Sequence, residues 1–481
     1  MTSATSNTTT TTAIQNNKVL DTAAIFASVG GRGRGSTLPR GNDARLGWDQ
    51  SQHYALRHAL AWIRPQRVAM HLHEGLRVVG LISGTSIDGI DVAAAELGVD
   101  GEEVVLVPLG HLDMDYPEEL RGDLLAALPP NPCSVARVTQ LDTRVGQAFA
   151  EAAKIGIDTL AGGRADLVAS LGQTVYHWVE DGVARGTLQL GRPAWIAERT
   201  GLPVVADFRA RDIAAGGHGA PLASTLDALW LRGIADTRGH PVAALNIGGI
   251  ANITVVDPDG EVLAYDTGPG NALLDLAAHR ISGGTLRSDV DGTLALRGEV
   301  RLDLLDRLVA DPYYEAAPPK STGKEHFHAT YLDAAAAGLP ELADEDLLAT
   351  LTELTAVTIA DACARHSVGT VVASGGGVEN PALMAALSRQ LPGVVLETSD
   401  GLGFPSAGKE AYLTALLGWL TWSGAPGNLP SATGAAGPRL LGSITPGSAP
   451  LVLPPALTAT VARLRVTRDL SDMAGVIHAA S

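Results

Sequence analysis

One unit occurs twice in this chain, and that repetition constrains the fold more than any other feature. Val78 to Ile82 is a short apolar run that enters the small-residue turn Ser83-Gly84-Thr85-Ser86-Ile87-Asp88-Gly89, and Ile90 begins a second apolar run. Far downstream, Val242 to Ile247 enters Gly248-Gly249 in the same way, and Ala251 to Val256 follows. Each unit continues into a further strand-like run, Glu103 to Leu109 in the first and Glu261 to Tyr265 in the second. An apolar run that enters a glycine turn and returns reads as a hairpin. Recurrence of one supersecondary unit predicts two related α/β lobes rather than one large sheet. The length of 481 residues agrees, being too great for one ordinary core.

The repeats set the boundaries. Residues 1–75 are low in complexity, with a threonine run at Thr8–Thr12 and alternating Gly and Arg from Gly30 to Gly35. Such a segment buries too little apolar surface to offset its ordering entropy. It is expected to be dispensable, with Met70 able to serve as an alternative start. Residues 76–240 form a first lobe and 241–423 a second, whose last helix (Ala407 to Trp422) is expected to pack back on the first. Residues 424–481 are a Gly/Pro-rich closing segment. Helical periodicity marks Tyr116–Leu128, Val135–Leu160, Pro193–Thr200, Ala272–Ile281, Leu347–His366 and Asn380–Leu391. Strands are read at Leu167–Leu171, Val204–Arg209, Gly369–Ser374 and Val394–Glu397.

Several turns carry chemistry. In the first, Gly84 and Gly89 permit a ligand to approach the backbone, amides and hydroxyls can cradle a phosphate, and Asp88 or Asp91 can hold magnesium directly or through water. The same turn also reads as a merely polar hairpin. Asp266 stands between a strand and a glycine turn that opens a helix, where a carboxylate can serve as a general base or as a helix cap. Gly375-Gly376-Gly377 suits close approach by a ligand, or is a tight strand-to-helix turn. Asp207 and Arg209, alternating on one expected strand, share a face as site residues or as an ion pair. Gln173-Thr174 and His177 read as strand-end site walls or as a surface turn. Gly403 to Lys409 imitates a P-loop, but Glu410 stands where Ser or Thr must bind magnesium, so it is read as a decoy.

Composition removes other classes. Lys plus Arg number 35 against 52 Asp plus Glu, a net charge of −17 that disfavours nucleic acid and anionic membranes as partners. Cys133 and Cys363 are the only cysteines, too few for a disulfide framework or a cysteine-rich metal site, which suits the reducing cytoplasm. No signal peptide and no apolar run of membrane-spanning length is read.

Taken in order, these motifs resemble one family, the anhydro-N-acetylmuramic acid kinases of the hexokinase/Hsp70/actin superfamily. The resemblance runs over about residues 76–445. It rests on Ser83 to Asp91, Gly172-Gln173-Thr174, Asp207-Phe208-Arg209 and Gly216 to Leu222. It continues through Asn246 to Asn252, Asp266 to Asn271, Lys320-Ser321-Thr322-Gly323 and Gly375 to Gly377. It implies a two-lobe actin-like ATPase (ribonuclease H-like) fold with ATP and Mg²⁺ in a central cleft. Gly84, Thr85, Ser86, Ile87, Asp88, Gly89, Ile90 and Asp91 would form the first phosphate loop, Asn246, Gly248 and Gly249 the second, and Gly375 to Gly377 the nucleoside side. Asp266 would be the base, and Gln173, Thr174, Asp207, Arg209, Asn271 and Glu410 would surround the sugar. The implied reaction converts 1,6-anhydro-N-acetylmuramic acid, ATP and water to N-acetylmuramic acid 6-phosphate in cell-wall recycling, by a homodimer. Four positions depart from the pattern: Leu171 replaces His, His218 replaces Gln, Lys324 replaces Arg, and Lys409 replaces a hydrophobic residue. An actin- or Hsp70-like ATP-driven scaffold would need a peptide-binding or polymerising part for which the chain has little room, and a hydrolase acting without ATP would leave the glycine turns without a purpose. A kinase for a related anhydro sugar stays open.

Overall fold

The computed structural model describes residues 75–318 and 320–468, so the features expected within residues 1–74 lie outside the described residues. The first lobe opens with β1 (Leu76–Ser83), β2 (Gly89–Asp100) and β3 (Glu103–Asp115), an antiparallel meander. Then come α1 (Glu118–Ala127), α2 (Val135–Thr159), β4 (Leu167–Glu180), β5 (Val183–Leu190), α3 (Pro193–Thr200), β6 (Val204–Ala206), α4 (Phe208–Ala214) and α5 (Ala223–Arg238). The second lobe repeats the meander as β7 (Val242–Ile247), β8 (Ile250–Val256) and β9 (Val262–Pro269), followed by α6 (Ala272–Ile281). A helical insertion holds α7 (Leu302–Val309), α8 (Pro312–Glu315) and α9 (Ala329–Ala336). The chain then runs through α10 (Asp344–Arg365), β10 (Thr370–Ser374), α11 (Pro381–Gln390), β11 (Val395–Thr398), α12 (Lys409–Trp422) and α13 (Pro430–Thr433). It ends in β12 (Ser443–Thr445) and β13 (Arg463–Val466).

Strand order makes the repetition explicit. The first sheet runs β12-β6-β4-β1-β2-β3-β13, with β5 on β4, and the second runs β11-β10-β7-β8-β9. Stripped of its additions, each is a three-strand meander whose first strand pairs in parallel with the next strand after a helix. Parallel pairing requires such a crossover. Local signals set the helix ends. Ser134 Oγ accepts from Arg137 N at the start of α2, Asn380 Oδ1 accepts from Ala382 N and Leu383 N at α11, and Pro193 opens α3.

One core spans both lobes. It gathers Val78, Leu97, Ala169 and Val205 from the first sheet, Ala244 and Val372 from the second, and Leu226, Trp230, Tyr412, Leu416 and Trp419 from α5 and α12. Helix α12 lies directly on β1. A Cβ placed on Gly80 would stand 2.0 Å from the Ala411 carbonyl oxygen, and one on Gly418 would stand 2.4 Å from Ala169 Cβ. The outer face of the first sheet carries α1, α2 and α3, and that of the second carries α10 and α11. Helix α10 is long and apolar enough to span a membrane, contrary to the expectation that no such run exists. It is instead a core helix of the second lobe, with Leu348, Leu351, Leu354, Ala356 and Ile359 in the cores.

Four expectations are corrected. The strand expected over Val204–Arg209 stops at Ala206, because Asp207 takes φ 62° and turns the chain into α4; Asp207 and Arg209 therefore share no strand face. Gly172-Gln173-Thr174 is no turn: β4 continues through it to Glu180 and pairs with β5. The third strand runs past Leu109 to Asp115, which sets Asp113 opposite Asp91. The closing segment contains two strands that extend the first sheet, β12 on β6 and β13 on β3.

Candidate active site

The first turn projects Thr85, Ser86 and Asp88 outward and buries Ile87. Ile87 N donates to the Gly84 carbonyl at 3.2 Å, and Ile87 itself has φ 56°. A β-branched residue in that region is strained and persists only where its surroundings hold it. The hold comes from below. Gln173 is fully buried, and its Nε2 donates to the carbonyls of Gly84 (3.0 Å) and Thr174 (3.1 Å). Its Oε1 lies 2.7 Å from Ser83 Oγ and 3.2 Å from Tyr116 Oη, while Ser83 Oγ is 2.6 Å from the Gly89 carbonyl. Gln173, expected at the substrate, thus has both ends of its amide engaged in bracing the loop. Thr174 accepts from Gln189 Nε2.

Carboxylates gather above this turn. Asp91 is half-buried on β2, and its carboxyl is pushed up from 3.8 to about 7, first by burial, then by the charges of Asp113, Glu410 and Asp88. Negative charge crowded this way favours a bound proton or cation, although among the described residues no group of three or more His, Cys, Asp or Glu is arranged to hold a metal ion. Asp88 is exposed and pairs with Arg121 at 3.1 Å, and Arg121 Nε also donates to the Ile87 carbonyl.

Beside them stands Arg209. Its Nη1 donates to the Gly219 carbonyl at 2.8 Å, its Nε is buried without a partner, and burial holds its guanidinium below the usual range, an effect that Glu410 opposes. The Gly216–Ala220 loop is fixed by the fully buried Asp212, which accepts from Gly219 N and, on its other oxygen, from Asn428 and Thr433. Asp207 is exposed at the start of α4, with partial desolvation raising its carboxyl. His177 lies within the electrostatic reach of Arg209 and His218, and its pKa is lowered mainly by burial. Leu171 is 4% exposed in the core, which removes it from any ligand surface.

The second set is knit by backbone. Gly270 N and Ala272 N donate to the Gly249 carbonyl, and Asn271 N donates to that of Gly248 at 2.8 Å. Asn271 Nδ2 reaches the Ile247 carbonyl at 3.4 Å. Gly375 has φ 84°, and a Cβ there would meet Asn246 Oδ1 at 2.6 Å. One on Gly377 would meet Ile247 Cγ2 at 2.3 Å, so the glycine run is packed onto the Asn246–Ile247 strand end while Gly376 is open. Lys324 is exposed, close to Gly249, and its charge lowers Asp275 against the effect of burial.

Asp266 belongs to this set. A β-bulge between β8 and β9 falls at this point, a device that re-aims side chains. Its carboxylate accepts from Thr322 N at 2.9 Å, its N donates to the Lys320 carbonyl, and its carbonyl accepts from Tyr313 Oη at 2.7 Å. Burial raises its carboxyl, Thr322 opposes that, and Glu325 adds to it. A separate cavity of about 260 Å³, walled by Tyr265, Thr267, Tyr314, Lys320 and Thr358, lies under α10, and Asp266 is not among its walls.

The two sets meet at the first turn of α12. Glu410 is exposed there and acts on Asp91 and Arg209 of the first lobe. Its neighbour Lys409 bonds Ser374 at the end of β10 and forms a 2.7 Å ion pair with Asp227. Asp113, Tyr116, Tyr313 and Asp227 went unnoticed in the sequence, because each is brought in by pairing across elements and none lies in a glycine turn.

Two α/β lobes that share one five-strand order, each presenting a glycine turn from its opening hairpin, are the arrangement of the actin-like ATPase fold. The family model for anhydro-N-acetylmuramic acid kinase matches residues 76–447. Relatives of that name are 59% identical in Streptomyces avermitilis, over 79% of this chain and 97% of that one, and 49% identical in Rhodococcus erythropolis, over 78% and 95%. One from Synechococcus elongatus is 43% identical over 77% of this chain and 99% of its own. The chain belongs to the anhydro-N-acetylmuramic acid kinase family. Among solved structures it is similar to a ROK family glucokinase from Streptomyces griseus in complex with glucose and AMPPNP. That match has 14% identity, covers 71% of this chain and 99% of that one, and has a TM-score of 0.30, a likeness that adds nothing to the strand order itself.

Proposed function

We propose that this protein is an ATP-dependent kinase that converts 1,6-anhydro-N-acetylmuramic acid and water to N-acetylmuramic acid 6-phosphate, within cell-wall amino-sugar recycling in the cytoplasm. The observation that carries the reading is the partly buried Asp266, aimed by a β-bulge and by Thr322 N beside the second glycine turn.

In the substrate O6 is bridged to C1, so it carries no hydroxyl proton to lose. Water adds at C1, the C1–O6 bond breaks, and O6 takes the γ-phosphoryl group as ADP leaves. The water proton passes to Asp266, whose basicity burial raises above that of an ordinary carboxylate. Arg209, with an unpartnered Nε, suits the lactyl carboxylate of the sugar, with Asp207, Asn271 and Glu410 around it. The turns at Gly84–Asp91 and Gly248–Gly249 supply backbone amides for the phosphates, and Gly375 to Gly377 flank the nucleoside. Gln173 holds the first turn from beneath.

The crowded carboxylates fit a divalent cation: Asp91, with Asp88 directly or through water, would hold Mg²⁺. When bound it would offset charge on the phosphates. The pairing of Asp88 with Arg121 leaves Asp91 the better placed of the two.

Incubating the protein with ATP, Mg²⁺ and the anhydro sugar in ¹⁸O-water tests this. Mass spectrometry should find a sugar phosphate carrying one ¹⁸O at C1 and none in the phosphoryl group. ATP hydrolysis without sugar product, or label in the phosphate, would overturn the reading.

A further inference from the structure

Lys409 is where the structure exceeds the functional reading. It stands at the start of α12 in a place where the resemblance calls for a hydrophobic residue. Its ammonium lies 2.7 Å from Asp227 Oδ1 and 3.4 Å from Ser374 Oγ. The side chains are 12% and 6% exposed, so the pair is enclosed. Asp227 belongs to α5 and also accepts from Thr254 Oγ1 on β8. Ser374 closes β10 and donates to the Leu245 carbonyl on β7. One ammonium therefore joins α12, α5 and the second sheet.

The neighbours in sequence give that junction its meaning. The residue after Lys409 is Glu410, whose charge acts on Asp91 and Arg209. The residue after Ser374 is Gly375, which opens the run packed on Asn246 and Ile247. The next residue of α12, Ala411, is in contact with the bare backbone of Gly80 on β1. The first turn of α12 is thus held on one side by the first sheet and on the other by the Lys409 bonds. An enclosed ion pair is a poor way to gain stability, since desolvation offsets much of its attraction, and its best-attested use is to fix registry. The aliphatic stem of a hydrophobic residue would fill the same space and fix nothing.

We propose that Lys409 is a positioning residue: it ties the sugar-side carboxylate of Glu410 to the nucleotide-side turn at Gly375–Gly377 and sets the spacing between the two halves of the site. This rests on the kinase reading above. The test compares wild type, K409M and the double variant K409M/D227N, measuring thermal stability, nucleotide affinity without sugar, and kcat and KM for the sugar. K409M leaves Asp227 enclosed without its partner and should lose stability. The double variant removes both charges at nearly constant volume and should regain it. A pair that only stabilised would regain activity in parallel. A positioning pair would not: the double variant should melt close to wild type and bind nucleotide alone within about twofold, yet show kcat/KM for the sugar reduced about tenfold or more. Wild-type kinetics in the double variant would overturn the proposal while leaving the kinase reading intact. Absence of sugar phosphate from wild type would overturn the kinase reading itself.

Discussion

The two opening hairpins share a strand order but divide the chemistry between them. In the first, charge sits at the turn and on the second strand, at Asp88 and Asp91, and the turn is braced from inside by the buried amide of Gln173. In the second, the turn is bare glycine, knit by backbone to Gly270–Ala272, and the carboxylate has moved to the third strand, where a bulge aims Asp266. The one framework thus gathers negative charge at the turn of its first copy and sets a single partly buried carboxylate in its second; on the reading proposed above, the first would hold the cation and the second would be the base. The distinction lies in side-chain supports, since the backbones follow one plan.

The sharpest way to break that contrast is at the two carboxylates. Asp266→Asn should lower kcat by about 10²–10⁴-fold, with nucleotide binding kept. Near-normal turnover would mean that the second hairpin does not supply the base. Asp91→Asn should weaken magnesium dependence and also change the pH response of EDTA-treated protein. Asp91 releases its proton near 7 in the folded chain against an ordinary 3.8, so its contribution to stability is full below about pH 4 and lost as pH rises through 7. The Asn variant should therefore melt higher than wild type at pH 8 and much the same at pH 4. Magnesium should raise the melting temperature of wild type more than that of the variant.

Gly375→Ala tests the second turn with a smaller expected effect. Its φ of 84° and the Asn246 contact should raise the nucleotide KM and cost about 1–3 kcal/mol in chemical denaturation. Gln173→Leu should cost a similar ~1–3 kcal/mol by leaving the Gly84 carbonyl unpaired, with a modest rise in the ATP KM and little change in the sugar KM. A large rise in the sugar KM instead would return Gln173 to the substrate.

Both hairpins, their glycine turns and the helices with clean periodicity were legible in the sequence, because each is written in local spacing. The rest depended on distant partners. Helix α5 escaped notice: it is buried among elements from both sheets and lacks a clean polar face, with Ser224, Thr225 and Asp227 buried beside Leu226 and Trp230. Strand β5 pairs with the extension of β4, where the sequence Gly172-Gln173-Thr174 reads as a turn. Asp207 ends an apolar run without any breaker residue, so only its left-handed backbone reveals the switch to helix. Among the site residues, the glycines and Asp266 stand in recognisable turns. Asp113 becomes visible only through cross-strand register, and the 409–227 ion pair joins residues with no common spacing.

The naked join between Gly80 and Ala411 has a mechanical consequence. With no side chain between strand and helix to act as a bearing, α12 cannot roll or slide on β1 by small rotamer adjustments. Any swing that carries residue 410 must drag the first sheet along as one stiff piece, and a single methyl group grafted onto residue 80 would jam that linkage.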